Sequence, residues 1–287
     1  VTDIDLLILT HPHSDHIGQA VDILNTFNVT EVWMDGNIHT SNSFERLIDA
    51  IEASGASYYE PRAGEEYEIG SLEVFVLHPD DLTGNLNNDS ISLNAKFGNI
   101  KFLFTGDAEK ASEDKMLSKN YDLKADIYQV GHHGSNTSST SAFLNVVKPK
   151  VAIYSAGKDN MYGHPHQEVI NRLLNMNVRV YGTDIHGTII VKTDGNTFDI
   201  QTQKGNGSIT EPIPDPKEPV VPEPGCVNIN TASFEELQQI IHIGPERAQQ
   251  IIDLRPFKSI DDLSRINGIG PSRLKDIKDQ GLACIGG

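Results

Sequence analysis

A short apolar run at residues 6–9 leads directly into Thr10-His11-Pro12-His13-Ser14-Asp15-His16. Three imidazoles and a carboxylate within six residues, just past a strand, tell a chain where to turn. The loop has to bring these donors together, and neutral imidazole nitrogens and carboxylate oxygens suit divalent zinc or manganese. His11 and His13 alternate and so project the same way, while Asp15 and His16 lie further on and can reach a second ion. The bland alternative is a chance cluster of exposed polar residues, and the density of donors weighs against it.

Around this loop, short apolar runs alternate with helix-like windows. Strands are expected at 5–9, 29–34, 72–77, 91–97, 101–104, 127–130, 151–155, 178–181 and 187–192, and helices at 18–27, 43–54, 110–117, 141–147 and 167–176. Many strands interrupted by isolated helices predict a layered α/β domain with mixed sheets over residues 1–204. Residues 205–225 are rich in Pro, Gly and acid and read as an extended spacer. Residues 226–287 form a third segment with a different pattern. Ser233 with Glu236 makes a capping box ahead of a helix through Ile241. Gly244-Pro245 ends that helix and opens another, since Pro fits the first helical position. The arrangement recurs 26 residues on at Gly270-Pro271, which predicts two helical hairpins in one small all-α module.

Charge sets a condition on any nucleic-acid role. The chain carries −17 overall, yet the last segment holds seven Lys/Arg against eight Asp/Glu and is near −1, leaving −16 upstream. Such a surface repels DNA unless metal ions mask the carboxylates around the site. Two cysteines, Cys226 and Cys284, bracket the last segment and the rest has none. They read either as a disulfide of an oxidising compartment or as two unrelated thiols. No run of eighteen apolar residues exists, so no membrane span is expected. The first residue is Val1 and the chain opens inside a strand-like segment, so a fragment or processed form is expected, its signal not visible.

The HxHxDH pattern of His11, His13, Asp15 and His16 resembles the metallo-β-lactamase superfamily. The likeness continues through Phe104-Thr105-Gly106-Asp107. Alone, Asp107 reads equally well as a turn residue after Gly106; beside the first cluster it matches the superfamily's strand-ending aspartate, which can bridge two metals. Three further segments, Asn87-Asn88-Asp89-Ser90, Gly131-His132-His133-Gly134-Ser135 and Tyr162-Gly163-His164-Pro165-His166, are similar to the hydrolase domain of ComEC-type competence proteins over roughly residues 1–195. The resemblance implies an αββα sandwich with its N-terminal strands missing. It also implies a nuclease-like activity on incoming DNA and a centre of two divalent ions, zinc or manganese.

On that resemblance, His11 and His13 hold one ion, Asp15, His16 and His164 the other, and Asp107 is shared. Most superfamily members carry another metal-binding histidine upstream of this aspartate. Here Asn87 and Asn88 occupy that region, which makes Asn88 a candidate amide ligand, and His78 reads as a strand-end histidine. His132 and His133 are flanked by glycines that let groups approach closely; one is a candidate to protonate a leaving oxygen or hold a phosphate, and the other reads as such or as structural. Asp15 joins them in the catalytic set. His166 reads as a contact to a ligand residue or as the start of the next helix.

The last segment is similar to the paired helix-hairpin-helix domain of ComEA-type DNA receptors over 226–285, through His242-Ile243-Gly244-Pro245-Glu246-Arg247-Ala248 and Gly268-Ile269-Gly270-Pro271-Ser272-Arg273-Leu274. A Gly-bearing turn opens a helix with free backbone N–H groups, which suit a phosphate oxygen. Gly244, Gly268, Gly270, Arg247, Arg273 and Lys275 are the candidate DNA-backbone contacts, carrying no base sequence information. His242 stands where the pattern has Gly, so the second hairpin is the safer phosphate site; a bundle with merely capping glycines is the alternative. The combined expectation is a secreted or cell-surface, metal-dependent phosphodiesterase, a DNA nuclease linked to DNA binding, uptake or scavenging and to competence machinery. Two other readings stand beside it: a teichoic-acid or phosphocholine-type cell-wall phosphodiesterase, and a DNA-capture protein with an inactive hydrolase domain.

Overall fold

The computed structural model describes residues 1–205, 207–209 and 226–285. Most of the expected spacer, 206 and 210–225, lies outside them. The chain divides into two compact units, Val1–Lys158 with His164–Ile213 and Asp159–Gly163 with Pro214–Gly287.

In the first unit, strands β1 (Asp3–Leu9), β2 (Asn28–Met34) and β3 (Ser57–Tyr59) form a parallel sheet in that order, with β1 at one edge. A second sheet of seven strands comprises β4 (Glu66–Ile69), β5 (Leu72–His78), β6 (Ser92–Phe97), β7 (Ile100–Phe104), β8 (Ile127–Gln129), β9 (Val151–Tyr154) and β10 (Arg179–Gly182). Neighbours in space are neighbours in sequence, antiparallel from β4 to β7 and parallel from β7 to β10. The switch of direction at β7 places the ends of β7, β8 and β9 on one side, where Asp107, His132 and Ser155 follow them.

Side-chain alternation on the strands builds the layers. On β1, Leu7 and Leu9 face helices α1 (Ser14–Ile17), α2 (Ala20–Thr26) and α3 (Asn42–Ser54). Leu6 and Ile8 turn the other way and pack with Trp33, Val74, Val76, Ile91 and Leu93 between the two sheets. The far face of the large sheet packs on α4 (Lys110–Ser118), α5 (Ser141–Val147) and α6 (Gln167–Asn175) through Met116, Phe143, Leu144, Val169, Ile170 and Leu173. The order helices, sheet, sheet, helices is the expected αββα sandwich. After the single turn α7 (Thr183–His186), the hairpin β11 (Ile189–Thr193) and β12 (Phe198–Thr202) lays Ile189, Val191, Phe198 and Ile200 against Ile127, Val151 and Tyr181.

Most expected elements stand within a residue or two of their limits. The helix expected over 18–27 forms as Ala20–Thr26, and a further single turn, Ser14–Ile17, precedes it and ends at Gly18. Three strands of this unit went unread. Ser57–Tyr59 is exposed throughout, Glu66–Ile69 carries two glutamates in four residues, and Phe198–Thr202 alternates too briefly before the spacer.

The second unit is helical: α8 (Phe234–Leu237), α9 (Pro245–Leu254) and α10 (Pro271–Gln280), with a capped 3₁₀ segment Ile260–Arg265. The Ser233–Glu236 capping box forms in both directions, but α8 ends at Leu237 rather than continuing to Ile241. Leu237, Ile240, Ile243, Ile251, Leu263, Ile266 and Ile277 make its core. Two-residue strands β13 (Val227–Asn228) and β14 (Ala283–Cys284) pair in parallel, and Cys226 is disulfide-bonded to Cys284 with a Cα separation of 5.4 Å.

Candidate metal centre and helical hairpins

The donors of the first loop converge because the chain turns into α1 immediately after His13, whose backbone carbonyl accepts from the N–H groups of His16 and Ile17. His11 is fully buried, with Nε2 2.9 Å from His13 Nδ1. His11 Nδ1 meets the hydroxyls of Thr10 and Ser90, each at 3.2 Å. Ser90 Oγ also accepts the backbone N–H of Asp107 at 3.1 Å, so one hydroxyl ties two donor residues together.

Asp107 stands at the middle of the site. Its Oδ2 lies 3.3 Å from His16 Nε2, 3.6 Å from His133 Nε2, and 3.7 Å from both His11 Nε2 and His132 Nε2. Its Oδ1 is buried and has no hydrogen-bond partner. Burial favours the protonated acid, but the hydrogen bond from His16 and the surrounding imidazoles outweigh it and hold the carboxyl below the usual range. Gly106 lets the chain come this close, since a Cβ there would stand 3.0 Å from Thr10 and Ser90 at a φ of 52°.

Two groups of donors result, each within 4.8 Å: His11, His13 and Asp107, and Asp15, His16 and His133. The first matches the expected pairing. In the second, His133 occupies the place the sequence reading gave to His164. His133 donates from Nδ1 to the Ser155 carbonyl at 2.8 Å, which leaves Nε2 facing Asp15 at 3.4 Å. Asp15 draws the His133 pKa up to about 9 against the opposing effect of burial, so a cation entering there displaces a proton. His133 in turn holds Asp15 well below the carboxylate range. Burial, then His16, lowers His11 to about 3, which keeps that ring neutral. A buried carboxylate oxygen without a partner, beside neutral imidazoles and a second carboxylate, is a donor set that fits two divalent cations.

His132 belongs to neither group. Its Nδ1 contacts Thr137 Oγ1 at 3.1 Å and Glu109 at 3.5 Å, with Nε2 toward Asp107. His164 stacks its ring 6.3 Å from His133 and stands edge-on to His132 at 5.6 Å, and burial foremost lowers its pKa to about 4. His166 accepts the Asn136 N–H at Nδ1 and sits 5.0 Å from the His164 ring, ahead of α6. The Asn88 amide is engaged by Glu109 and Ser112. His78 ends β5, buried, with Nε2 2.6 Å from the Asn88 carbonyl. Sequence reasoning missed Thr10 and Thr137, Ser90 and Glu109, whose partners lie far off in the chain, and the Ser155 carbonyl that orients His133.

The 131–134 turn is held at its start, and the segment that follows it is held by Glu113. Tyr128 Oη accepts the Gly131 N–H, and the buried Glu113 accepts the N–H groups of Ser139 and Thr140 at 2.5 and 3.0 Å. His132 and His133 both have positive φ, 49° and 56°. Strained backbone of this kind persists where surrounding contacts over-determine it.

In the helical unit, Gly244 and Gly270 cap α9 and α10, with Pro245 and Pro271 at the first helical positions. Lys275 pairs with Asp279 on its own helix, and His242 pairs with Asp276 at 2.8 Å.

This αββα unit, with its histidine-rich loop gathered around a strand-ending aspartate, defines a metallohydrolase class. The metallo-beta-lactamase superfamily model matches residues 1–158, and the chain belongs to that superfamily. A helix-hairpin-helix motif matches residues 225–280. The chain is 35% identical over 214 residues to ComE operon protein 3 of Bacillus subtilis (strain 168), covering 74% of this chain and 28% of that protein. It is 38% identical over 100 residues to a deoxyribonuclease of Thioalkalivibrio sp. (strain K90mix), 35% of this chain and 24% of that one. It is 45% identical over 56 residues to ComE operon protein 1 of Bacillus subtilis (strain 168), 18% of this chain and 27% of that one. The chain thus spans about a quarter of the length of each of these relatives. Among the described residues no helix is long and apolar enough to cross a membrane.

Proposed function

We propose that the chain is a metal-dependent phosphodiesterase that hydrolyses DNA, with the helix-hairpin-helix unit keeping the substrate at hand. The observation that carries this reading is the meeting of two donor groups at Asp107, in a chain that also bears a nucleic-acid-binding motif. A deoxyribonuclease and competence proteins among its relatives support DNA over other phosphodiesters.

His11, His13 and Asp107 would hold one divalent ion, and Asp15, His16 and His133 the other. Bound there, zinc or manganese would supply Lewis acidity to the phosphoryl oxygens. Ser90 fixes the relation of His11 to Asp107, and Ser155 fixes the orientation of His133. His132, held by Thr137 and Glu109 outside both donor groups, would meet a phosphate oxygen or protonate the leaving oxygen. His164 would line the substrate side of His132 and His133, with His166 behind it. The helical unit raises the local concentration of a polymer that the acidic hydrolase unit repels. The Cys226–Cys284 bridge supports a secreted or cell-surface location and a role beside DNA-uptake machinery.

The test is hydrolysis of linear duplex and single-stranded DNA by the full chain with manganese and with zinc. Cleavage that is abolished by chelation and by Asp107→Asn supports the reading. DNA binding without metal-dependent cleavage would instead favour a capture protein, and cleavage of teichoic-acid or phosphocholine esters alone would favour a cell-wall substrate.

A further inference from the structure

The two hairpins are repeats, and their bonding shows where the repeat is broken. Arg247 and Arg273 occupy equivalent positions, and each donates from Nη1 to the carbonyl five residues back, Arg247 to His242 at 3.1 Å and Arg273 to Gly268 at 2.8 Å. Those two carbonyls belong to the residues with left-handed φ, 68° at His242 and 78° at Gly268. Here the symmetry ends. Arg247 also crosses to the second hairpin, where its Nε donates to the Asn267 carbonyl at 3.1 Å. A Cβ on Gly268 would meet Arg247 Nη2 at 2.9 Å and Arg273 Nη1 at 3.3 Å.

Both guanidinium groups therefore gather at one bare glycine. Their hydrogen bonds go to carbonyls, and among the described residues no carboxylate lies within ion-pair distance of either. Neighbouring cations are spent elsewhere: Lys275 on Asp279, Lys278 on Asp261, and Arg255 on the carbonyls of Ile229 and Ala232. The first hairpin receives no such pair. Its His242 is tied to Asp276, a carboxylate that opposes an anion. Two planar cations converging where no side chain intrudes suit a phosphate group, which accepts forked hydrogen bonds.

Resting on the DNA-binding reading above, we infer that Arg247 and Arg273 form one composite clamp at Gly268 for a single backbone phosphate. DNA is then gripped through the second hairpin with a guanidinium lent by the first. Arg247 has two tasks, joining the hairpins and contacting the phosphate, and a Cβ at Gly268 would push its guanidinium aside.

The experiment measures binding of a fluorescent duplex of mixed sequence by the disulfide-bonded full chain, with chelator present to prevent hydrolysis, across a salt series. Arg247→Ala and Arg273→Ala are each expected to weaken binding about tenfold and to shallow the salt dependence by about one ion. Because they share a phosphate, the double variant should lose less than the product of the single losses. Gly268→Ala should reproduce Arg247→Ala, whereas His242→Gly should leave the salt dependence unchanged. Arg247→Lys, which keeps the charge but not the fork, should preserve the slope and lose affinity; it also serves if the alanine variant does not fold. Unchanged binding in Arg247→Ala, or multiplicative losses in the double variant, would overturn the clamp alone. A wild-type chain that binds no duplex would overturn the DNA reading and the clamp with it.

Discussion

His16 and His133, 117 residues apart in sequence, hold their Nε2 atoms 3.2 Å from one another. The Nδ1–H of His133 is committed to the Ser155 carbonyl, so its Nε2 presents a lone pair when the ring is neutral. Asp15 and Asp107 approach the same point from either side. Two ring nitrogens and two carboxylates this close are stable only around a positive charge, either a proton or a metal ion.

Divalent metal should therefore stabilise the hydrolase unit. At a free concentration one hundred times the dissociation constant, the gain is about 2.7 kcal/mol for a single site, read as a rise in melting temperature that chelator reverses. His133→Ala should lower bound metal from two equivalents to one by elemental analysis, while His164→Ala retains both. If His164→Ala lost an equivalent and His133→Ala did not, the ligand sets would have to be exchanged.

Ser90→Ala removes the hydroxyl that links His11 Nδ1 to the Asp107 backbone. Groups that orient metal-binding side chains are each worth roughly 10–100-fold in affinity, and a loss in that range is expected at the His11 site. Competition with a chelating dye would measure it, and unaltered affinity would show that Thr10 suffices to hold the ring.

The sequence exposes what is local and hides what is folded together. His11, His13, Asp15 and His16 are legible because four donors within six residues have few other uses, and Asp107 only beside them, since alone it reads equally well as a turn residue after Gly106. That His133 rather than His164 faces Asp15 was not legible. Both follow strands of the same sheet, and only the Ser155 carbonyl and the left-handed backbone at 132–133 decide which ring faces Asp15. Ser90 and Glu109 escaped for the same reason, since serine and glutamate are common at turns and helix starts. On the helical side, equivalent motifs gave Arg247 and Arg273 equivalent roles, and the crossing of Arg247 to Asn267 is visible only in three dimensions.

Gly134→Ala should disable the site from behind. Gly134 has a φ of 89°, and a Cβ there would stand 2.6 Å from that of Pro165. Overpacking and left-handed strain together predict a loss of about 2–4 kcal/mol. Displacement of the 132–133 turn should also halve metal content at temperatures where the chain stays folded. A variant of wild-type melting temperature would show that the 164–166 segment yields.

The Cys226–Cys284 bridge closes a separation of 58 residues around the helical unit. Loop-closure entropy alone predicts about 4 kcal/mol of stabilisation for a loop of this size. Val227 and Ile229, core residues beside Cys226, depend on that closure. Reduction, or Cys226→Ser with Cys284→Ser, should lower the melting transition of this unit and leave that of the hydrolase unit in place. Coincident shifts in both transitions would count against independent units.

Asp35 provides a pH signature separate from the metal centre. It is fully buried, and burial, reinforced by Asp89, raises its pKa from 3.8 to about 6 even though Asn37 donates to it from both its backbone and its side chain. The folded chain thus keeps this proton where the unfolded chain has already released it. Between about pH 4 and pH 6 the unfolded state binds fewer protons at this position, so stability falls as pH rises. The loss is at most about 3 kcal/mol across that window. Asp35→Asn keeps one of the two acceptors that Asn37 uses and removes the titration. The variant should gain on the wild type as pH rises from 4 to 6 in denaturant melts, and the two should run parallel above that. Parallel curves through the window itself would mean that Asp35 ionises normally despite its burial.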